Sequence, residues 1–265
     1  VNIEISLYGI EFLRNVGALL TVDGDRPDIG LREGGYLFLA SSGGRAVLER
    51  NHAVQKALSV DVVLLSPDAL IERFPWINPE GIELASLGQS GEGWFDSHGL
   101  LMGFRNKARS LGVEYIEDEV VGVRRDGDRV TGVLTKSGAE IDCGALVNTA
   151  GTRGPRIAQM AGLAVPVEPR RRSLFVFDCR DPLPGAVPLT IDPSGVFFRP
   201  EGRFYLAGTS PREDVALGVD DFAVRHEEFE EQIWPVLASR VPAFEAIKVV
   251  NAWAGHYDYC VLDHN

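Results

Sequence analysis

Basic charge is scarce: Lys and Arg number 26 against 38 Asp and Glu in 265 residues, a formal net charge of −12. A polyanion needs a positive surface, so nucleic acid and anionic membrane faces are excluded as general partners. Cysteine is sparse too. Cys143, Cys179 and Cys260 are odd in number and far apart, neither a disulfide framework nor a Cys-x-x-Cys pair, and a reducing, cytoplasmic compartment is expected. His52, His98, His226, His256 and His264 lack a ligand spacing such as His-x-x-x-His, and no metal is expected. No apolar run approaches the roughly 20 residues that cross a bilayer, and no basic-then-apolar leader is seen. A Gly-x-Gly-x-x-Gly turn, the usual backbone cradle for a dinucleotide pyrophosphate, occurs nowhere in the chain. Repeats and low-complexity tracts are absent as well.

What is there suits a globular α/β protein. Hydrophobic residues make up 45% of the chain, enough for a substantial core, and the length fits one large or two modest domains. Residues 139–151 organise the reading. They suggest a strand, a break at Gly144, and an apolar run Ala145-Leu146-Val147 ending in small residues. That is the pattern of a buried parallel strand whose carboxyl end opens into a crevice, where α/β sheets bind ligands. Ala150 and Gly151 let the backbone approach a flat ligand closely. Pro155 begins a helix through Met160 that Gly162 stops.

Upstream, strands are expected over 113–116, 120–124 and 130–135, the last two joined as a hairpin by Asp126-Gly127-Asp128. Ser97 is expected to cap a helix carrying Leu100, Leu101, Phe104, Ala108 and Leu111 on its apolar face, with Gly112 beyond its end. Taken as physics alone, this is a piece of an α/β nucleotide-binding domain; an ordinary α/β core without ligand is the competing reading.

Nearer the start, 3–20 has an amphipathic helical spacing through Ile5, Leu7, Tyr8, Ile10, Phe12, Leu13 and Val16. Tyr36 to Ala40 is a short apolar strand. A helix over 44–58 is expected to turn Val47, Leu48, Val54 and Leu58 inward, and Ser66-Pro67-Asp68 starts a short helix after a strand over 62–65. Residues 79–96, rich in glycine, read as a crossing between domains. After Gly162 the pattern turns to β, with strands over 165–178, 187–191, 196–199 and 204–208 in an antiparallel sheet. A helix over 220–237 covers one face, and a strand over 249–254 returns. Arg170-Arg171-Arg172 is read as ion-paired side chains at a strand end rather than an anion site.

Gly93-Trp94-Phe95-Asp96, Gly112-Val113, Val120-Val121-Gly122-Val123, Val147-Asn148-Thr149-Ala150-Gly151, Gly162-Leu163 and Pro166-Val167 follow one another in an order that resembles the FAD-dependent D-amino-acid oxidase superfamily. The segment Asn251-Ala252-Trp253-Ala254-Gly255-His256-Tyr257-Asp258-Tyr259 is similar to the branch that oxidises sarcosine and dimethylglycine, which also contains an assembly factor for respiratory complex I. The resemblance implies an α/β and α+β fold: part of a FAD-binding Rossmann-like domain interleaved with a substrate domain on a mixed, largely antiparallel sheet covered by helices. It places 1–90 and 163–258 in the substrate domain, 91–162 in the FAD-binding domain and 259–265 on the way back to the latter. It also implies that the chain is the middle of a longer protein and that these residues alone bind FAD poorly.

Carried over residue by residue, the resemblance places Val120 and Val121 on the strand that meets the adenine, and Ala150 and Gly151 on the loop beside the dinucleotide. Gly255 stands where the monomeric sarcosine oxidases have the cysteine that bonds to flavin, which implies a non-covalent FAD. Tyr257 stands where the glycine oxidases have a carboxylate-clamping arginine. Phe197 and Tyr36 are placed at the wall of the substrate cavity and His256 near it; plain burial is the competing reading for all of them. The implied chemistry is oxidation of a neutral amine by hydride loss to FAD, leaving an imine that water hydrolyses. Oxygen, a quinone or an electron-transfer protein could take the electrons. Two alternatives stand beside it: a 2-hydroxy-acid or glycerol-phosphate dehydrogenase on the same fold, and a non-catalytic assembly or scaffold protein.

Overall fold

The computed structural model describes residues 1–264. Its main sheet has eight strands in the order β11 (Ile247–Cys260), β7 (Val167–Cys179), β10 (Phe204–Gly208), β9 (Phe197–Glu201), β8 (Leu189–Ile191), β1 (Tyr36–Ala40), β3 (Leu84–Gly88) and β2 (Val62–Leu65), and a smaller one has the order β4 (Val120–Asp126), β5 (Arg129–Thr135) and β6 (Glu140–Asp142). The fold class expected from the resemblance is the one observed. The chain separates into two compact units: Val1–Val113, Leu174–Ser210 and Arg225–Ala252 form the first, and Glu114–Ser173, Pro211–Val224 and Trp253–Asn265 the second.

In the first unit, α1 (Asn2–Leu19) is the expected amphipathic helix. Only part of its apolar stripe is covered: Val16 packs with Leu20 and Ile29, while Ile5 and Tyr8 are exposed. Strand β1 (Tyr36–Ala40) pairs antiparallel with β3 (Leu84–Gly88), which in turn pairs with β2 (Val62–Leu65). Strand β3 corrects the sequence reading of 79–96 as a crossing. The short run Leu84-Ala85-Ser86-Leu87 becomes a fully buried inner strand because it has a partner on both edges. Helix α2 (Ser42–Ala57) forms as expected but with a different face inward. Gly44 approaches β1 so closely that a Cβ would sit 3.4 Å from that of Ala40. Leu48 is half-buried, while Val47 and Val54 are exposed, contrary to expectation.

Helix α3 (Pro67–Arg73) is capped as expected by Ser66, whose Oγ accepts from the Ala69 N–H at 3.3 Å. In α4 (Ser97–Ser110) the cap is Asp96 rather than Ser97: its carboxylate accepts from the His98 N–H at 2.9 Å, a stronger acceptor one residue earlier. Strands β8 (Leu189–Ile191), β9 (Phe197–Glu201) and β10 (Phe204–Gly208) form a meander, with β8 also parallel to β1.

Strand alternation gives this sheet two different faces. One carries Leu37, Leu39, Ala85, Leu87, Phe198, Tyr205, Phe175 and Phe177, all buried. Phe244 stands edge-on to Phe177, Phe198 and Tyr205 at 5.0–5.1 Å and closes that core. The other face carries Tyr36, Phe38, Ile191, Phe197 and Arg199, which are half-buried or exposed.

The expected helix over 220–237 is shorter and broken. It consists of α6 (His226–Glu228), a π turn (Phe229–Ile233) and α7 (Trp234–Arg240). Pro235 has no N–H for an i→i−4 bond, and the wider π turn before it absorbs that loss. Residues 220–225 stay out of the helix because Asp221 is engaged otherwise: Oδ1 accepts from the Ala223 N–H at 3.1 Å, a local bond that competes with helix.

In the second unit, β4 (Val120–Asp126), β5 (Arg129–Thr135) and β6 (Glu140–Asp142) form the expected meander, with Gly127 at φ +58° in the first turn. Helix α5 (Gly154–Met160) begins and ends as expected, with Gly162 at φ +77°. Two expectations fail. Residues 113–116 and 145–147 are not strands, and Val113, Ile116 and Val147 are exposed. A strand exists only through its ladder partners, and no described residue pairs with either segment. Strands β7 (Val167–Cys179) and β11 (Ile247–Cys260) each contribute residues to both units.

Candidate functional site

Five of the residues singled out by sequence for the cofactor lie in the second unit, and two features there suit a flat ligand. The first is the loop after residue 147. Asn148 stitches it, its Oδ1 accepting from the Ala150 N–H at 3.2 Å and its Nδ2 donating to the Gly154 carbonyl at 2.8 Å. Gly151 takes φ +56°, a conformation that L side chains rarely adopt. Asn148, Ala150, Gly151, Pro155, Val165 and Asp258 are among the residues that line a cleft of about 370 Å³. A neighbouring opening of about 660 Å³ shares Pro155, Val165 and Val167 with it. The small residues Ala150 and Gly151 with Pro155 and Val165 leave room for a flat stretch of ligand, and Arg153 and Arg156 line the neighbouring opening. The Asp258 carboxylate lies 3.8 Å from where a Cβ on Gly151 would be, and it makes this an unfavourable place for a pyrophosphate.

The second feature is β4, an edge strand of its sheet. Its register skips Val121: Val120 pairs with Thr135 and Gly122 with Leu134. Such a bulge leaves a residue outside the ladder, where its peptide can serve another partner. Val120 and Val121 are both half-buried.

At the end of β11, nothing lies within 4 Å of where a Cβ on Gly255 would be, so glycine is not sterically demanded there. Tyr257 is 44% exposed and lies under the Arg172 guanidinium, 5.4 Å from the ring centroid. Arg172 is fixed by two bonds to Asp214, at 2.9 and 2.8 Å. Arg171 pairs with Asp221 at 3.3 Å; Arg170 pairs with Glu168 at 2.8 Å and covers Tyr259 at 4.5 Å. The arginine run is ion-paired, as expected. What the sequence reading missed is that Arg172 reaches Tyr257; the residues are distant in the chain, and the run itself was the only signal.

His256 stacks on Phe222 at 4.3 Å and its Nε2 lies 2.7 Å from the Asp221 carbonyl. A carbonyl only accepts, so Nε2 donates, and the buried Nδ1 is left without a partner.

The remaining two predicted residues lie in the first unit, on the open face of the sheet. The Tyr36 hydroxyl donates to the Gly93 carbonyl at 3.3 Å, and its ring is tilted against Phe38 at 6.4 Å. Phe197 lies over Gly208, where a Cβ would come within 2.9 Å of its ring. Arg199, two residues on, stacks on Trp94 at 5.4 Å and pairs with Glu201 at 2.5 Å. Burial is the main reason the Tyr36 phenol is pushed above its ordinary range; the Glu92 charge adds to this and Arg199 opposes it. Glu92 is pushed up as well, by burial, against a bond from the Tyr36 N–H. Sequence reasoning passed over Glu92, hidden in a glycine-rich stretch that looked like a linker. Among the described residues no group of His, Cys, Asp and Glu could hold a metal, and no helix is long and apolar enough to cross a membrane.

Residues 4–265 match the family described as DAO, FAD dependent oxidoreductase. FAD-dependent oxidoreductase domain-containing protein 1 of Xenopus laevis is 40% identical over 296 residues, covering 100% of this chain and 59% of the relative. Sarcosine oxidase subunit beta of Rhizobium meliloti (strain 1021) is 28% identical over 232 residues, covering 84% of this chain and 53% of the relative. The chain therefore spans little more than half the length of these relatives. Among solved structures, L-proline dehydrogenase from P. horikoshii superposes with a TM-score of 0.82 at 21% identity, over 96% of this chain and 66% of that one.

Proposed function

The chain belongs to the FAD-dependent oxidoreductase family, whose cofactor is FAD, and from that premise we propose that the full-length protein oxidises a small amine or amino acid of the sarcosine, dimethylglycine or glycine type. The observation that carries the amino-acid reading is Tyr257 beneath the Arg172 guanidinium at the end of β11. A phenol next to a fixed cation is a suitable donor to a substrate carboxylate. Because Asp214 holds both arms of Arg172, the site does not present the free basic cluster that a phosphate ester would favour. Two proteins similar to this one are named for sarcosine and L-proline, both secondary amino acids.

In this reading the loop at Ala150 and Gly151 and the skipped peptide of Val121 hold the uncharged parts of FAD, and Gly255 leaves it non-covalent. FAD, when bound, supplies the acceptor for a hydride taken from the carbon next to the amine nitrogen. Tyr257 donates its hydroxyl proton in a hydrogen bond to the substrate carboxylate and so orients that carbon. His256, bonded to Asp221 and stacked on Phe222, positions the strand end rather than touching substrate. Within the first unit, Tyr36 and Phe197 present an aromatic surface on the open sheet face, suited to the apolar part of a small ligand. Residues 91–162 then belong functionally to the FAD-binding domain, and 1–90 with 163–258 to the substrate domain. The free cysteines Cys143, Cys179 and Cys260 support a reducing compartment.

The test is the visible spectrum of the full-length flavoprotein, titrated without oxygen with sarcosine, dimethylglycine, glycine, L-proline and 2-hydroxyglutarate. Bleaching by at least one of the amines is expected. Bleaching by 2-hydroxyglutarate alone, or by none of the five, overturns the proposal.

A further inference from the structure

On the open face of the sheet in the first unit, one acidic side chain takes a position that the strand itself leaves empty. Leu37 pairs with Leu87 and Phe38 with Ser86, so Tyr36 and Gly88 are neighbours one step further along β1 and β3. Gly88 has no side chain on that face, and the carboxylate of Glu92 fills the space: a Cβ on Gly88 would collide with it. The backbone of the Glu92 segment is pinned. Gly35 N–H donates to the Glu92 carbonyl at 3.0 Å, and Arg32 and Trp94 exchange both of their bonds at 2.9 and 3.0 Å. The carboxylate therefore sits beside Tyr36 by construction of the fold.

Among the described residues no guanidinium or ammonium pairs with Glu92, although the chain pairs most of its other half-buried acids, Asp192 with Arg240 and Asp214 with Arg172 among them. An acid taken out of water without a counter-cation costs stability, and such a group on an open face is a candidate ligand site. Arg199 lies on the same face, and the Tyr36 hydroxyl feels both charges in opposite senses. The face thus offers an anion from the segment after β3, a phenol on β1 and a cation on β9, with Phe38 and Phe197 on the same face.

We propose that Glu92 is a specificity-determining residue that receives the nitrogen of an amino-acid substrate on the open face of the sheet, binding it in the ammonium form that precedes the neutral amine. This rests on the amino-acid reading above and deepens it by fixing the substrate class as zwitterionic. Burial raises the proton affinity of the Glu92 carboxyl, so it is also a better partner for an N–H proton than a surface carboxylate would be. Gly88 is explained by the same arrangement: any larger residue would displace the carboxylate.

The experiment compares two isosteres by calorimetric titration of the full-length flavoprotein: trimethylglycine, which carries a permanent cation and cannot be oxidised at nitrogen, and 3,3-dimethylbutanoate, which keeps the carboxylate and is uncharged at the position of the nitrogen. Wild type is expected to bind trimethylglycine on the order of ten-fold more tightly, through direct attraction between the two charges, since the quaternary nitrogen has no N–H to donate. Glu92→Gln is expected to bring the two to within about two-fold by weakening trimethylglycine alone. Equal affinities in the wild type overturn the proposal whether or not the variant folds, and so does a preference that survives Glu92→Gln. If only 3,3-dimethylbutanoate binds, the Glu92 assignment fails while a carboxylate site stands; if neither binds, the amino-acid reading fails with it.

Discussion

Replacing Tyr257 by Phe removes one hydroxyl and leaves the ring, so the packing beneath Arg172 is preserved: the guanidinium, 5.4 Å from the centroid, is held by Asp214 and does not depend on the hydroxyl. A cation over an aromatic face is worth about 0.5–1 kcal/mol at an exposed site, and Phe retains most of it. What is lost is the bond to substrate. A hydrogen bond contributes a net 0.5–1.5 kcal/mol or so, and about 1.5–3 kcal/mol when one partner is charged. With Tyr257 at 44% exposure, water competes for both partners and the lower range applies. The expected loss is therefore roughly 2-fold to 13-fold in apparent affinity for the amino acid. Flavin content and melting temperature should stay at wild-type values. Steady-state kinetics and thermal melts on the same preparation separate the possibilities. A lowered melting temperature with an unchanged KM would show that Tyr257 is a packing residue, and an unchanged KM with intact kcat would remove it from the site.

Three further outcomes follow from the same geometry. Arg240 is 13% exposed, pairs with Asp192 (11% exposed) at 2.9 Å and donates to the carbonyls of Asn78 and Glu80. Arg240→Ala leaves a largely buried carboxylate without its cation, held only by the Ser194 N–H, and should cost about 3 kcal/mol of unfolding free energy; a denaturant titration giving under about 1 kcal/mol would contradict this account. The Asp118 carboxyl is lowered to about 2, chiefly by the Ser137 hydroxyl and then by Thr135 and the Glu119 N–H. Its contribution is present above the unfolded value and lost as pH falls through about 2, so Ser137→Ala should move the folded pKa upward toward the ordinary range, read by carboxyl NMR titration; an unmoved pKa sinks the assignment. Gly255 offers no nucleophile, so acid precipitation of the full-length flavoprotein should release all flavin to the supernatant, and fluorescence retained on the denatured band would refute this.

The helices and turns were legible in the sequence because their causes are local. Ser66-Pro67 set the start of α3, Gly112 and Gly162 the ends of α4 and α5, and Gly127 the β4–β5 turn, each through backbone preferences acting within a few residues. The family resemblance, too, lay in short motifs at fixed spacing. What only the tertiary structure decided is whatever depends on a partner far along the chain. Strand β3 exists because β1 and β2 flank it, whereas the equally apolar 145–147 is exposed for want of one. The face that α2 turns to the sheet carries Gly44 against Ala40, a close approach that hydrophobic spacing does not encode. The site contacts follow the same rule. Arg172 over Tyr257, His256 on Asp221 and Glu92 over Gly88 beside Tyr36 join residues from different elements, most of them distant in sequence, and a charge or ring acquires its chemical role only when folding decides what stands next to it.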